Sequence, residues 1–220
     1  MDGARPGISG RTARICVAGL VLLATLATVR APEAAADVAP AWSKVRFDGA
    51  NTAFNTSERW LSAGNVGSLA LDWTSRISPR ESPLVSGGVI YAGCDDRWFC
   101  ALDATNGSTR WKTEVGVGVP ARWAALAGGV VYLNGSSFQG NAYSPVLLAL
   151  DAGSGAVLWR TLIMNGCCGG TTPITVAEGL VIQRWKDSLL AWDAATGIQR
   201  WVVPLLAGGV PAVVNGVVYV

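Results

Sequence analysis

The sequence contains no histidine. That absence excludes Ser-His-Asp hydrolysis, histidine-ligated zinc or haem, and an imidazole general base. Charge is scarce as well: only 15% of the 220 residues are Asp, Glu, Lys or Arg, and the formal net charge is +2. Arg5, Arg11, Arg14 and Arg30, set against Asp2 and Glu33, account for that excess and leave 13 basic and 13 acidic residues from Asp37 onward. A neutral body carries no electrostatic footprint for nucleic acid. The apolar run Ile15 to Val29 spans 15 residues, short of the ~20 needed to cross a bilayer. What is abundant instead is glycine, with 27 residues, and tryptophan, with 10.

The first 36 residues read as a signal peptide. Arg5, Arg11 and Arg14 form a basic start, the apolar run follows, and Ala34-Ala35-Ala36 supplies the small residues of a cleavage site. Cleavage is expected after Ala36, so residues 37–220 form the exported, secreted or periplasmic domain. Cys16 falls inside the leader, and the four remaining cysteines enter a compartment that permits disulfides.

A thirteen-residue word occurs three times: FCALDATNGSTRW (Phe99 to Trp111), LLALDAGSGAVLW (Leu147 to Trp159) and LLAWDAATGIQRW (Leu189 to Trp201). Its aspartates, Asp103, Asp151 and Asp193, stand 48 and 42 residues apart. Each word follows a shorter one, GGVIY, GGVVY or EGLVI, and a fourth short word, NGVVY, occupies Asn215 to Tyr219. The first unit reads as four short antiparallel strands over 83–86, 89–92, 99–104 and 108–115, with turn residues between them. In Asp-Ala-x-x-Gly the aspartate accepts backbone N–H groups of its own turn while glycine takes the left-handed position, so the three acids are expected to be structural. Trp111, Trp159 and Trp201 share one repeat position, which Trp73 in LALDWTSRI also fits, and are expected to pack one sheet on the next. Four-stranded units of ~40–45 residues predict an all-β chain of propeller blades, part of a ring.

These words, together with the opening stretch from Trp42 to Trp73, resemble the pyrroloquinoline-quinone repeat propellers. That family includes quinoprotein alcohol dehydrogenases, secreted bacterial propellers and the propeller subunit of the outer-membrane β-barrel assembly machinery. The resemblance covers residues 42–220 and implies a ring of about eight blades, of which three or four are present here. An open arc exposes apolar blade faces, so self-association is expected. A protein or cell-envelope polymer partner would meet the loops and blade edges.

Cys94 and Cys100 flank a turn between strands and are expected to form a cross-hairpin disulfide. A zinc site joining them to Cys167 and Cys168 lacks C-x-x-C spacing. The neighbours Cys167 and Cys168 are not required by the repeat. Adjacent Cα atoms lie ~3.8 Å apart, below the usual ~4.4–6.8 Å disulfide span, so joining them would make a strained ring of the kind that gathers at functional sites. In quinoprotein alcohol dehydrogenases such a ring caps the quinone, and the resemblance makes Cys167 and Cys168 candidate contacts for pyrroloquinoline quinone. Glu81 in ESPLV approximates the family's glutamate before the first strand, in a site that also holds calcium. The arginine that follows the cysteine pair in those enzymes has no counterpart among Gly169, Gly170, Thr171, Thr172 and Pro173. A loop disulfide or two free thiols are the other readings of the pair. No catalytic residue is identified. Trp98, Trp123 and Trp185 are candidate stacking residues or interblade packing, the polar stretch from Asn134 to Tyr143 is expected to be the longest loop, and Gly116-Val117-Gly118 precedes no helix and is not a phosphate cradle. Two functions are carried forward: an exported binding or scaffold propeller, and the N-terminal part of a quinoprotein dehydrogenase.

Overall fold

The computed structural model describes residues 41–77, 81–95, 97–116, 122–139, 142–163, 172–205 and 208–220. All of them lie in the unit Asp37–Val220; the expected signal peptide, Met1 to Ala36, lies outside the described residues.

Three four-stranded antiparallel sheets and a two-stranded hairpin follow one another along the chain. The first sheet contains β1 (Leu84–Ser86), β2 (Val89–Gly93), β3 (Trp98–Asp103) and β4 (Thr109–Glu114); the second contains β5 (Arg122–Ala127), β6 (Val130–Gln139), β7 (Ala142–Asp151) and β8 (Val157–Leu162). The third contains β9 (Thr175–Ala177), β10 (Leu180–Trp185), β11 (Ser188–Asp193) and β12 (Gln199–Pro204), and the hairpin is β13 (Ala212–Val214) with β14 (Val217–Tyr219). In each full sheet every strand pairs with the one before it in sequence, which is a blade meander. The first strands of successive blades touch, β1 with β5, β5 with β9 and β9 with β13, so they form the inner rim of the arc.

Alternation along the second and third strands explains the packing. Tyr91 and Phe99 of the first blade join Val131, Leu133 and Leu148 of the second in one core. Tyr132, Leu147 and Ala149, on the opposite face of the second blade, join Val181, Leu190 and Trp192 of the third in another. Period-two strands thus give each blade two apolar faces, and a blade cannot bury both by itself.

Residues 42–51 lie along the inner rim. Trp42 bridges to Val85 of β1 and Lys44 to Ala125 of β5, and Gly49 accepts a hydrogen bond from the Val213 N–H of β13 at 2.9 Å. The segment from Phe54 to Leu71 is largely exposed, with Trp60 87% and Leu71 80% accessible. Its one described helical turn is the short 3₁₀ segment Val66–Ser68.

The polar stretch expected as the longest loop is a correction. Asn134 to Gln139 extends β6, pairing in register with Ala142 to Leu147 of β7. Polar composition misled there: small polar side chains on a strand are tolerated when the partner strand supplies β-formers and apolar packing, here Val146 and Leu147.

Candidate functional site

The repeat places its chemistry at one end of the blades. Asp151 Oδ1 accepts from the Ser154 N–H at 2.8 Å and from its hydroxyl at 2.7 Å, while the Gly155 N–H closes the turn on the Asp151 carbonyl at 2.8 Å. Asp193 repeats this with Thr196, and Asp103 with Thr105. Thr105 and the Arg110 guanidinium hold the Asp103 carboxyl down to about 2. Arg200 and Thr196 hold Asp193 at a similar value. Asp151 is lowered by Ser154 alone among side chains, because Leu158 stands where Arg110 and Arg200 stand in the other blades. These acids are occupied as turn acceptors, as their spacing predicts.

Each turn also receives a tryptophan from the preceding repeat position. The Nε1–H of Trp73 donates to the Ala104 carbonyl at 3.0 Å, that of Trp111 to Ala152 at 2.9 Å and that of Trp159 to Ala194 at 3.0 Å. The indole lies against the turn glycine so closely that a Cβ on Gly155 would meet the Trp111 ring at 2.6 Å, and one on Gly107 or Gly197 would meet Trp73 or Trp159 at 2.7 or 2.6 Å. With φ near +75° at Gly155, both backbone conformation and space demand glycine. Trp73 thus docks on the first blade as β4 docks on the second, which assigns the stretch before Ile77 the place of a blade's outer strand.

The opposite end of the arc varies from blade to blade. In the first blade Cys94 and Cys100 are disulfide-bonded across the β2–β3 hairpin, with Cα atoms 5.8 Å apart. In the second blade β6 and β7 extend to ten residues each. In the third a tight turn at Lys186 joins Trp185 to Ser188, and Thr172 is tied to β10 through a Thr172 hydroxyl bond to the Arg184 carbonyl at 2.7 Å and a Gln183 amide bond to the Thr172 carbonyl at 2.6 Å. Thr172 is where the chain returns from the segment bearing Cys167 and Cys168, and both cysteines lie outside the described residues.

Glu81 is half-buried just before β1, with no hydrogen-bond or ion-pair partner among the described residues. No three Cys, Asp or Glu side chains gather as cation ligands among the described residues. Among the described residues Glu81 thus stands without the companions that calcium and a quinone carboxylate would need. The stacking candidates all sit on strands: Trp98 begins β3 beneath the Lys112 ammonium, 4.9 Å from the ring centre, Trp123 lies at an irregularity in β5, and Trp185 ends β10 with 2% exposure.

Sequence reasoning missed Lys44. It is 3% exposed, donates to Asn51 Oδ1, and burial pushes its ammonium down to about 8 against the opposing pull of Asp48. Asn51 in turn donates to the Val210 and Pro211 carbonyls at 3.2 Å each. This chain of bonds ties the second blade's inner strand to the fourth unit, a non-local link that no motif announces.

A family model described as outer membrane protein assembly factor BamB matches residues 47–145 and 143–220. The chain is 26% identical over 181 residues to the quinohemoprotein alcohol dehydrogenase of Comamonas testosteroni, covering 74% of this chain and 25% of that one. It is 28% identical over 159 residues to outer membrane protein assembly factor BamB of Moranella endobia, covering 67% and 39%. The solved structure of the Comamonas enzyme superposes with a TM-score of 0.57 at 23% identity, over 75% of this chain and 27% of that one, a likeness of fold. The chain thus spans between a quarter and two-fifths of the length of these curated relatives.

Proposed function

We propose a function from one premise: the chain belongs to the pyrroloquinoline-quinone repeat family whose model is described as outer membrane protein assembly factor BamB. On that premise it is an exported propeller module that binds or scaffolds a protein or cell-envelope polymer outside the cytoplasm. The observation that carries this reading is the use of the repeated residues. Asp103, Asp151 and Asp193 are turn acceptors, and Trp73, Trp111 and Trp159 are fasteners between blades. Repeats of this kind build a framework, and recognition falls to the variable hairpins at the other end. No described helix is long and apolar enough to cross a membrane.

The second reading, the N-terminal part of a quinoprotein dehydrogenase, is favoured by the match to the Comamonas quinohemoprotein and by the Cys167-Cys168 pair. Titrating the full chain with pyrroloquinoline quinone and Ca²⁺, followed by tryptophan quenching, separates the two. The scaffold reading expects no saturable quenching by folded protein. Saturable quenching lost in a Cys167→Ser/Cys168→Ser variant would replace it with the dehydrogenase reading.

Self-association is part of the proposal. Trp60 and Leu71 are exposed on one segment, and Val214, Val217 and Tyr219 on the β13–β14 hairpin. Unpaired edges and apolar side chains of this size favour contact between copies. Light scattering across a concentration series should give a mass that rises with concentration; a constant monomer mass with cooperative melting would contradict this.

A further inference from the structure

The seam between the second and third blades contains polar side chains that the repeat does not use. Asn134 is 2% exposed, and among the described residues neither its amide nitrogen nor its oxygen has a hydrogen-bond partner. Gln183 is fully buried; its nitrogen donates to Thr172, while its Oε1 has no partner. The Trp185 Nε1–H, on a 2%-exposed side chain, is likewise unpartnered.

Strand alternation sets the three into one seam. Tyr132 of β6 packs into the core shared with the third blade, so Asn134, two residues on, shares that face. Its cross-strand neighbour Leu147 belongs to the same core. On β10, Val181 and Trp185 face back into this core, and Gln183 lies between them on the same side. Measured from the turn aspartates, Val130 pairs with Asp151 and Leu180 with Asp193, so Asn134 stands level with the interval from Gln183 to Trp185.

An unpartnered buried amide is costly because it forfeits its bonds to water without replacement, and native proteins seldom leave several together. The three side chains offer amide and indole donors beside amide oxygen acceptors, and none of the three is charged. That combination matches a neutral group that donates and accepts at once, and it discriminates against ions, which would need a counter-charge in so buried a place. We propose that the seam is a binding site for a small neutral hydroxyl-bearing molecule, either water or a small polyol, held by Asn134, Gln183 and Trp185. The Thr172 carbonyl takes the Gln183 amide N–H on one side of this site, leaving the Gln183 Oε1 turned to the seam's occupant. The inference rests on the buried side chains alone and stands under either functional reading above.

The test is proton NMR of the indole N–H groups in the full chain, with the Trp185 signal assigned by its loss in Trp185→Phe. Trp111, whose N–H is bonded to Ala152, is the internal control. A direct cross-peak from water to the Trp185 N–H, lost in Asn134→Leu, supports the site with water as occupant. A saturable shift of that signal on adding ethylene glycol, also lost in Asn134→Leu and absent at Trp111, supports it with an organic hydroxyl as occupant. A wild-type spectrum with neither signal at Trp185 overturns the proposal, and that result does not rely on the variant folding.

Discussion

The two ends of the blades are built by different rules. At one end, Asp, Gly and Trp recur with the same bonds in blade after blade, the three described indole bonds differing by no more than 0.1 Å. At the other, one hairpin has a disulfide, the next extends to ten-residue strands and the third turns at once and is tied to the segment behind it. Uniform bonding marks what every blade needs in order to hold its neighbour. Variation marks where the chain is free to differ, and therefore where recognition is placed in this account.

The difference is open to attack, first at the uniform end. Trp111→Ala removes a ring packed on Gly155, a bond to Ala152 and contacts with Tyr91 and Phe99. Loss of about 3 kcal/mol in denaturant unfolding is expected, at the lower bound for a buried tryptophan because this one is part-exposed. A near-neutral result would mean that the dock is ornamental. At the variable end, the Cys94→Ser/Cys100→Ser pair should cost about 2 kcal/mol by the same measurement, since the bridge closes a short loop. It should leave the indole resonances of Trp111 and Trp159 unmoved.

Smaller effects sharpen the picture through pH. Lys44 sits well below its ordinary value in the folded state, at about 8. Between that value and the unfolded one the unfolded chain binds more protons, so stability rises with pH over roughly 8 to 10.5. Lys44→Met should flatten this rise in melting curves taken across the interval; an unchanged slope would remove Lys44 as its source. Asp103 and Asp193 have folded values depressed to about 2, so the stability they contribute is complete above roughly pH 4 and is lost as pH falls toward 2. The smallest effect concerns their odd sibling. Leu158→Arg should lower the Asp151 carboxyl toward the other two in a carbon-13 titration; no movement would mean that the guanidinium in those blades contributes nothing to the turn.

Much of the fold was legible because the repeat is local. The expected strand 89–92 is observed as Val89–Gly93, and the expected 99–104 as Trp98–Asp103, because turn glycines and β-branched runs bound them in the sequence itself. The structural reading of the aspartates holds for the same reason: acceptor and donors lie within three residues. Long-range partners were another matter. Nothing near Lys44 indicates that its neighbour Asn51 reaches Pro211, and nothing in the polar run from Asn134 indicates a strand until Ala142 to Leu147 is paired against it. Trp185 carries the same lesson, since its place at the end of a strand and inside a seam is decided by the neighbouring blade. The expected site residues Cys167 and Cys168 lie outside the described residues, and Glu81 is located without companions.

The division between a fastening end and a variable end is tested most directly by native-state hydrogen exchange of the indole N–H groups of Trp73, Trp111 and Trp159. The account predicts that all three exchange slowly and together, at the rate set by cooperative unfolding of the blades. Fast, independent exchange at any of the three under stabilising conditions would contradict it, because a fastener that opens alone does not hold the next blade in place.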